Sequence, residues 1–171
     1  MPRRICCVLL LGLLSVQPAH AVDGIGIELG GGESTAMARM TTRWNWDKTW
    51  PVGSNWTASA FWELGLGYWK GNWSGGNSLA ELGITPVFRL NANDSPFFWE
   101  AGIGAHFMSR DRIDPHRVFG SHFNFGDHLG FGRRLGERYE LSYRFQHLSN
   151  GNTAKPNDAI NFHQIRFGFN Y

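Results

Sequence analysis

The stretch YELSYRFQHLSNGNTAKPNDAINFHQIRFGFNY, residues 139–171, decides the fold. Tyr139, Leu141, Tyr143 and Phe145 alternate with Glu140, Ser142, Arg144 and Gln146. Twenty residues on, Ile165, Phe167, Phe169 and Tyr171 alternate with Gln164, Arg166, Gly168 and Asn170. A period of two places successive side chains on opposite faces of a strand, so each run has one apolar and one polar face. Between them lies a polar loop dense with Asn, so the two runs predict an antiparallel hairpin.

Working back toward the N-terminus, the same period recurs in six more segments. GIGIELGGG sets Ile25, Ile27 and Leu29 against Gly and Glu28, and MARMTTRWNW sets Met40, Trp44 and Trp46 against Arg39, Thr41 and Arg43. WTASAFWELGLGYW and LAELGITPVFRL follow, with Trp62, Leu64, Leu66 and Tyr68, then Leu82, Ile84, Phe88 and Leu90, on their apolar faces. FFWEAGIGAHF and the less regular SHFNFGDHLGF complete the set, and turn-rich stretches such as GNWSGGN and NANDSP separate the runs. Eight amphipathic strands fit either a soluble sandwich or a membrane barrel. The heavy aromatics near strand ends (Trp44, Trp46, Trp62, Tyr68 and Trp99) favour the barrel, as interfacial girdles do. So do the polar faces, which carry Arg39, Arg43, Arg89, Arg144 and Arg166 against Glu28, Glu63, Glu81, Glu100 and Glu140. Equal numbers of both signs suit a narrow interior filled by paired charges, and eight strands leave room for little else. A terminal aromatic closing an amphipathic strand, here Tyr171, resembles the end of bacterial outer-membrane barrels.

Residues 1–21 read as a secretory signal peptide: Arg3 and Arg4, an apolar run from Ile5 to Val16, and Ala19-His20-Ala21 as a cleavage site. The barrel is therefore expected in 22–171. Both cysteines, Cys6 and Cys7, fall in the leader, so a disulfide framework is excluded for the remainder. The chain has 16 Lys+Arg against 14 Asp+Glu, and removing Arg3 and Arg4 equalises them. A neutral barrel offers no electrostatic case for nucleic acid.

Where the first quoted strand meets its loop, His147 and Ser149 continue the outward parity of Tyr143 and Phe145. Same-face neighbours lie about 6.6–6.8 Å apart at Cα, within side-chain reach. A serine becomes a nucleophile beside a base whose tautomer a third group fixes. Asn161, 14 residues after His147, falls on the outward parity of the adjacent strand and is the candidate third group. Asn150 and Asn157, or nearby loop amides, are candidates to hold an oxyanion. Phe125 and Asp127 share the outward parity on the sixth segment. A nucleophile facing lipid is placed where an acyl ester meets the protein.

HLSN followed by PNDAI resembles the signature of the outer-membrane lipid A 3-O-deacylases, the PagL family. FNFGDH matches that family's Phe and Asp positions, here Phe125 and Asp127, and GIELGGGESTAMARMTTRWNWDKTW resembles its first hairpin. The resemblance spans nearly all of 22–171. It implies a serine esterase of the Gram-negative outer membrane that removes the 3-O-linked acyl chain of lipid A. Carried over, Ser149 is the nucleophile and His147 the base, Asn150 and Asn157 support the oxyanion, and Phe125 and Asp127 shape the site. One departure stands out: well-described members carry Glu where this chain has Asn161. The outer-membrane phospholipase A family, whose barrel is larger, shows the same H-x-S-N-G with an Asn 14 positions after its His. The expected partners are lipid A or lipopolysaccharide and the outer membrane, with a homodimer open and no cofactor or metal. Two rival readings are a phospholipase A and a non-catalytic OmpX-like barrel, in which His147 and Ser149 have no reason to face lipid together.

Other features carry less. GIGIELGGG is followed by no helix to make a phosphate cradle. His122, His128 and Asp127 read as rim or lumen residues rather than a metal site. RDRIDPHR, residues 110–117, reads as a basic loop between the fifth and sixth strands.

Overall fold

The computed structural model describes residues 21–171, so the signal peptide read in 1–21 lies, Ala21 apart, outside the described residues. Ten strands follow: β1 (Gly24–Gly32), β2 (Thr35–Val52), β3 (Trp56–Gly71), β4 (Ser78–Ala92) and β5 (Phe97–Met108), then β6 (Arg112–Asp114), β7 (Arg117–Val118), β8 (Phe123–Leu135), β9 (Tyr139–Ser149) and β10 (Ile160–Asn170). Eight of them close an antiparallel barrel in the order β1-β10-β9-β8-β5-β4-β3-β2. The seam between β1 and β10 runs from Gly24↔Asn170 to Gly31↔His163, so the sheet has no free edge. Among the described residues no helix is long and apolar enough to cross a membrane; strands make the crossing.

Two departures from the sequence reading concern extent. The second segment ends in sequence at Trp46 because Asp47 and Lys48 interrupt the alternation. In the fold, β2 continues through a register shift between Asn45 and Thr49 and pairs with β3 as far as Val52↔Trp56. A bulge absorbs the extra residues without breaking the ladder. The basic loop of residues 110–117 also contains structure. There β6 and β7 form a short hairpin, with the Asp114 carboxylate accepting the His116 N–H at 2.7 Å and Ile113 fully buried.

The lumen follows the predicted charge pairing. Arg144 reaches Glu28 and Glu63 at 2.6 Å and Glu100 at 2.7 Å, while Arg39 joins Glu28 to Glu81. Glu140 collects Arg43, Arg89 and Arg166. All five Arg and all five Glu of the polar faces take part. Toward one end the interior becomes apolar instead, with Trp69, Phe119, Leu148, Ile160 and Phe162 buried together. This apolar plug, closed over by β6 and β7, supports the loops at that end. The outer wall is the reverse, with Ile27, Leu66, Ile103, Leu129 and Phe167 all exposed. A continuous belt of such side chains fits hydrocarbon rather than water.

Candidate active site

Four connections emerge at the plugged end: the β1–β2 turn, the β3–β4 loop, the β5–β8 segment carrying β6 and β7, and the β9–β10 loop. The candidate residues gather on the outer wall at this rim. Burial along β9 alternates without a break from Tyr139, so Gln146 and Leu148 point inward while His147 and Ser149 point outward and are half-buried. The sheet register then sets their neighbours. Asn161 on β10 pairs with His147 from one side and Asp127 on β8 pairs with it from the other. Phe125 pairs with Ser149. Thus Asp127, His147 and Asn161 form one row across three strands, with Phe125 and Ser149 in the next row toward the rim.

The His147 ring is held. Its Nδ1 lies 2.8 Å from Asn161 Oδ1, the contact that their shared parity and spacing of 14 predicted. That leaves Nε2 as the ring nitrogen free of Asn161. On the outer side of Ser149, Phe125 stacks edge-on against Phe123 at 5.0 Å, and Phe123 against Phe107 at 5.2 Å. This aromatic row leads from the serine along the lipid-facing surface.

The β9–β10 loop is braced by contacts that the sequence leaves open. Asn150 is fully buried, and its side-chain amide donates to the carbonyls of Phe119 at 2.6 Å, Ala154 at 3.1 Å and Pro156 at 3.3 Å. Its side chain is therefore a brace rather than an oxyanion donor, because its N–H groups are spent on loop carbonyls. The Asn150 backbone N–H donates to Asn157 Oδ1 at 2.9 Å. That bond fixes the Asn157 amide with its NH2 turned away from Asn150, where its one contact is a long 3.5 Å to Asn152 Oδ1. Asp158 accepts the Val118 N–H at 2.8 Å and ties the loop to β7. Gly120 adopts φ +69°, and a Cβ there would collide with the Pro156 carbonyl, so only glycine lets the two loops approach this closely.

One residue absent from the sequence reading enters the site. Glu33, in the two-residue turn between β1 and β2, accepts from Asn161 twice: from Nδ2 at 2.6 Å and from the backbone N–H at 3.0 Å. Its other oxygen is paired with Arg117 Nη2 at 2.5 Å, and Arg117 also donates to the Ala159 carbonyl. Gly32 makes this approach possible, since a Cβ on it would collide with the Asn161 carbonyl. The available signal in the sequence was Glu-Ser after three glycines, which marks a tight turn but not what that turn touches. The remaining polar candidates separate: His128 points into the lumen, Asp127 out of it, and His122 contacts the Met108 carbonyl. Among the described residues no cluster of three or more His, Cys, Asp or Glu is arranged to hold a metal ion.

Comparisons with known proteins identify the family and the fold. The family described as Lipid A 3-O-deacylase (PagL) matches residues 34–170. The chain is 32% identical to the lipid A deacylase PagL of Pseudomonas aeruginosa over 158 residues, covering 91% of this chain and 90% of that protein. It is 28% identical to the lipid A deacylase PagL of Bordetella bronchiseptica over 170 residues, with 95% and 92% covered. A crystal structure of the outer-membrane enzyme PagL superposes with a TM-score of 0.78 at 28% identity, covering 86% of this chain and 99% of that one.

Proposed function

The chain belongs to the lipid A 3-O-deacylase (PagL) family, and from that premise we propose which of its residues perform the hydrolysis. It is an ester hydrolase of the Gram-negative outer membrane that removes the 3-O-linked acyl chain of lipid A. In the proposed mechanism Ser149 Oγ attacks the ester carbonyl carbon while His147 Nε2 takes the hydroxyl proton. The tetrahedral intermediate collapses as the 3-oxygen leaves and receives that proton from His147. Water, deprotonated by His147 in turn, then releases the fatty acid from acyl-Ser149. Asn161 orients the ring through Nδ1. Asn157, whose NH2 is turned away from Asn150, and loop backbone amides beyond Asn150, whose own N–H is taken by Asn157, hold the oxyanion. Phe125 and its aromatic neighbours seat the acyl chain, and Asp127 flanks His147 on its other side.

The observation that carries this reading is the Asn161–His147 hydrogen bond next to Ser149 on the wall that faces lipid. Lipid A stays in the leaflet throughout, so a site on the outside of the barrel receives its ester without extracting it. Ser149→Ala should abolish release of the 3-O-acyl chain from lipid A, measured by mass spectrometry, with the barrel still folded. Unchanged release would overturn the assignment, and release from glycerophospholipid instead would point to a phospholipase.

A further inference from the structure

We propose that Glu33 is the carboxylate behind this site: a positioning residue that fixes the orientation of Asn161 and, through it, the tautomer of His147. The proposal rests on the assignment of His147 and Ser149 given above.

An asparagine amide has a donor end and an acceptor end, and either can face a histidine nitrogen. Only one orientation is useful here. If Asn161 presents Oδ1 to His147 Nδ1, that nitrogen carries the proton and Nε2 is a free base. If Asn161 presents NH2, Nδ1 must be the acceptor, Nε2 carries the proton, and the ring cannot accept one from Ser149. A direct carboxylate in this place has no such ambiguity, because it only accepts. An asparagine needs something else to choose its orientation.

Glu33 makes that choice. Its Oε1 sits 2.6 Å from Asn161 Nδ2 and 3.0 Å from the Asn161 backbone N–H. A carboxylate has no proton to donate, so Asn161 must turn its NH2 to Glu33 and its Oδ1 to His147. The chain of donors runs His147 Nδ1–H to Asn161 Oδ1, then Asn161 Nδ2–H to Glu33 Oε1. Arg117 holds the far carboxylate oxygen at 2.5 Å. Because Arg117 neutralises much of the charge, the effect of Glu33 is chiefly orientational.

The local backbone supports a role beyond turn formation. Glu33 and Ser34 have φ of 50° and 62°, the left-handed region at both central positions of a two-residue hairpin. Asn, Asp and Gly fill such turns readily, whereas Glu adopts this conformation at a cost. A strained residue whose side chain reaches across the barrel seam to Asn161, 128 positions away, breaks a local preference for a contact that the turn itself does not need.

Arg117 makes Glu33→Gln a diagnostic substitution. Arginine only donates, so an amide at position 33 that keeps its oxygen on Arg117 turns its NH2 to Asn161 and can no longer accept the Asn161 backbone N–H. Asn161 then reverses, and His147 receives the NH2. In purified, folded barrel assayed on lipid A across a range of substrate concentrations, E33Q should lower kcat roughly 10- to 100-fold with KM within about twofold. That is less than the roughly 10⁴-fold loss when an orienting carboxylate is itself replaced by an amide. The paired test is N161E, which brings a carboxylate directly to His147. In that background E33Q should raise kcat, since it removes a like charge, and N161E/E33Q should exceed E33Q at least severalfold. Retained mobility in unheated gels certifies the fold of each variant, and S149A is run alongside. If S149A is inactive while E33Q keeps kcat within twofold of wild type, Glu33 has no such role and the serine assignment stands. An equal fall on E33Q in the N161E background would likewise overturn it, as it would show a purely structural contribution. Activity in S149A would overturn the parent assignment instead.

Discussion

Replacing Arg144 by Met should destabilise the barrel strongly while leaving its chemistry in place. Arg144 is 2% exposed and holds three carboxylates, Glu28 and Glu63 at 2.6 Å and Glu100 at 2.7 Å. Breaking a buried ion pair by removing one partner costs about 3–5 kcal/mol, because a charge is left buried without its counterion. Three orphaned carboxylates would suggest more than this range. Each, however, keeps a second cation: Glu28 keeps Arg39 at 2.7 Å, Glu100 keeps Arg89 at 2.7 Å, and Glu63 keeps Arg166 at 3.4 Å. The lower end, about 3 kcal/mol, is therefore the expected loss. R144M also leaves the lumen one negative charge in excess, so R144M/E63Q should recover about 1–2 kcal/mol, a non-additivity expected of residues in one network. Urea titration of the barrel in lipid vesicles, followed by tryptophan fluorescence, measures both. The folded fraction should retain kcat, since Arg144 faces the lumen and Ser149 the outside. A loss below about 1 kcal/mol, or a double variant no better than R144M, would refute the view that this network is a charge-balanced unit.

Two further outcomes follow from the wall and the loop. Leu129, exposed at the middle of β8, should accept Arg only at a cost of about 2–4 kcal/mol in vesicles, the midplane value for a lipid-facing site; a neutral result in the same titration would place that surface in water. Asn150→Ala removes three bonds to loop carbonyls but keeps the backbone N–H that Asn157 accepts, so residues 150–159 should become sensitive to proteinase K in the folded barrel, with kcat falling as the loop that carries Asn157 loosens.

Much of this protein was legible in sequence because it depends on parity, which is local. Each strand alternates in the sequence as it does in the fold, so the eight barrel strands, the charged lumen and the outward direction of His147 and Ser149 could be read without coordinates. Asn161 was legible for a similar reason, since one hairpin joins it to His147 and shared parity brings them together. Asn150 was only partly legible. The signature marks it, but an amide that holds an oxyanion and one that braces a loop are identical residues, and its carbonyl partners come partly from the β5–β8 connection. The apolar plug was hidden because inward parity says nothing about whether an inward residue meets charge or hydrocarbon. Glu33 lay furthest from view. Its contact with Asn161 exists because β1 closes onto β10, and the stagger of that seam is set by the barrel as a whole rather than by any run of residues. The sequence by itself determined which way each side chain faces. Tertiary closure decided which strands' residues meet, and so placed a carboxylate behind Asn161.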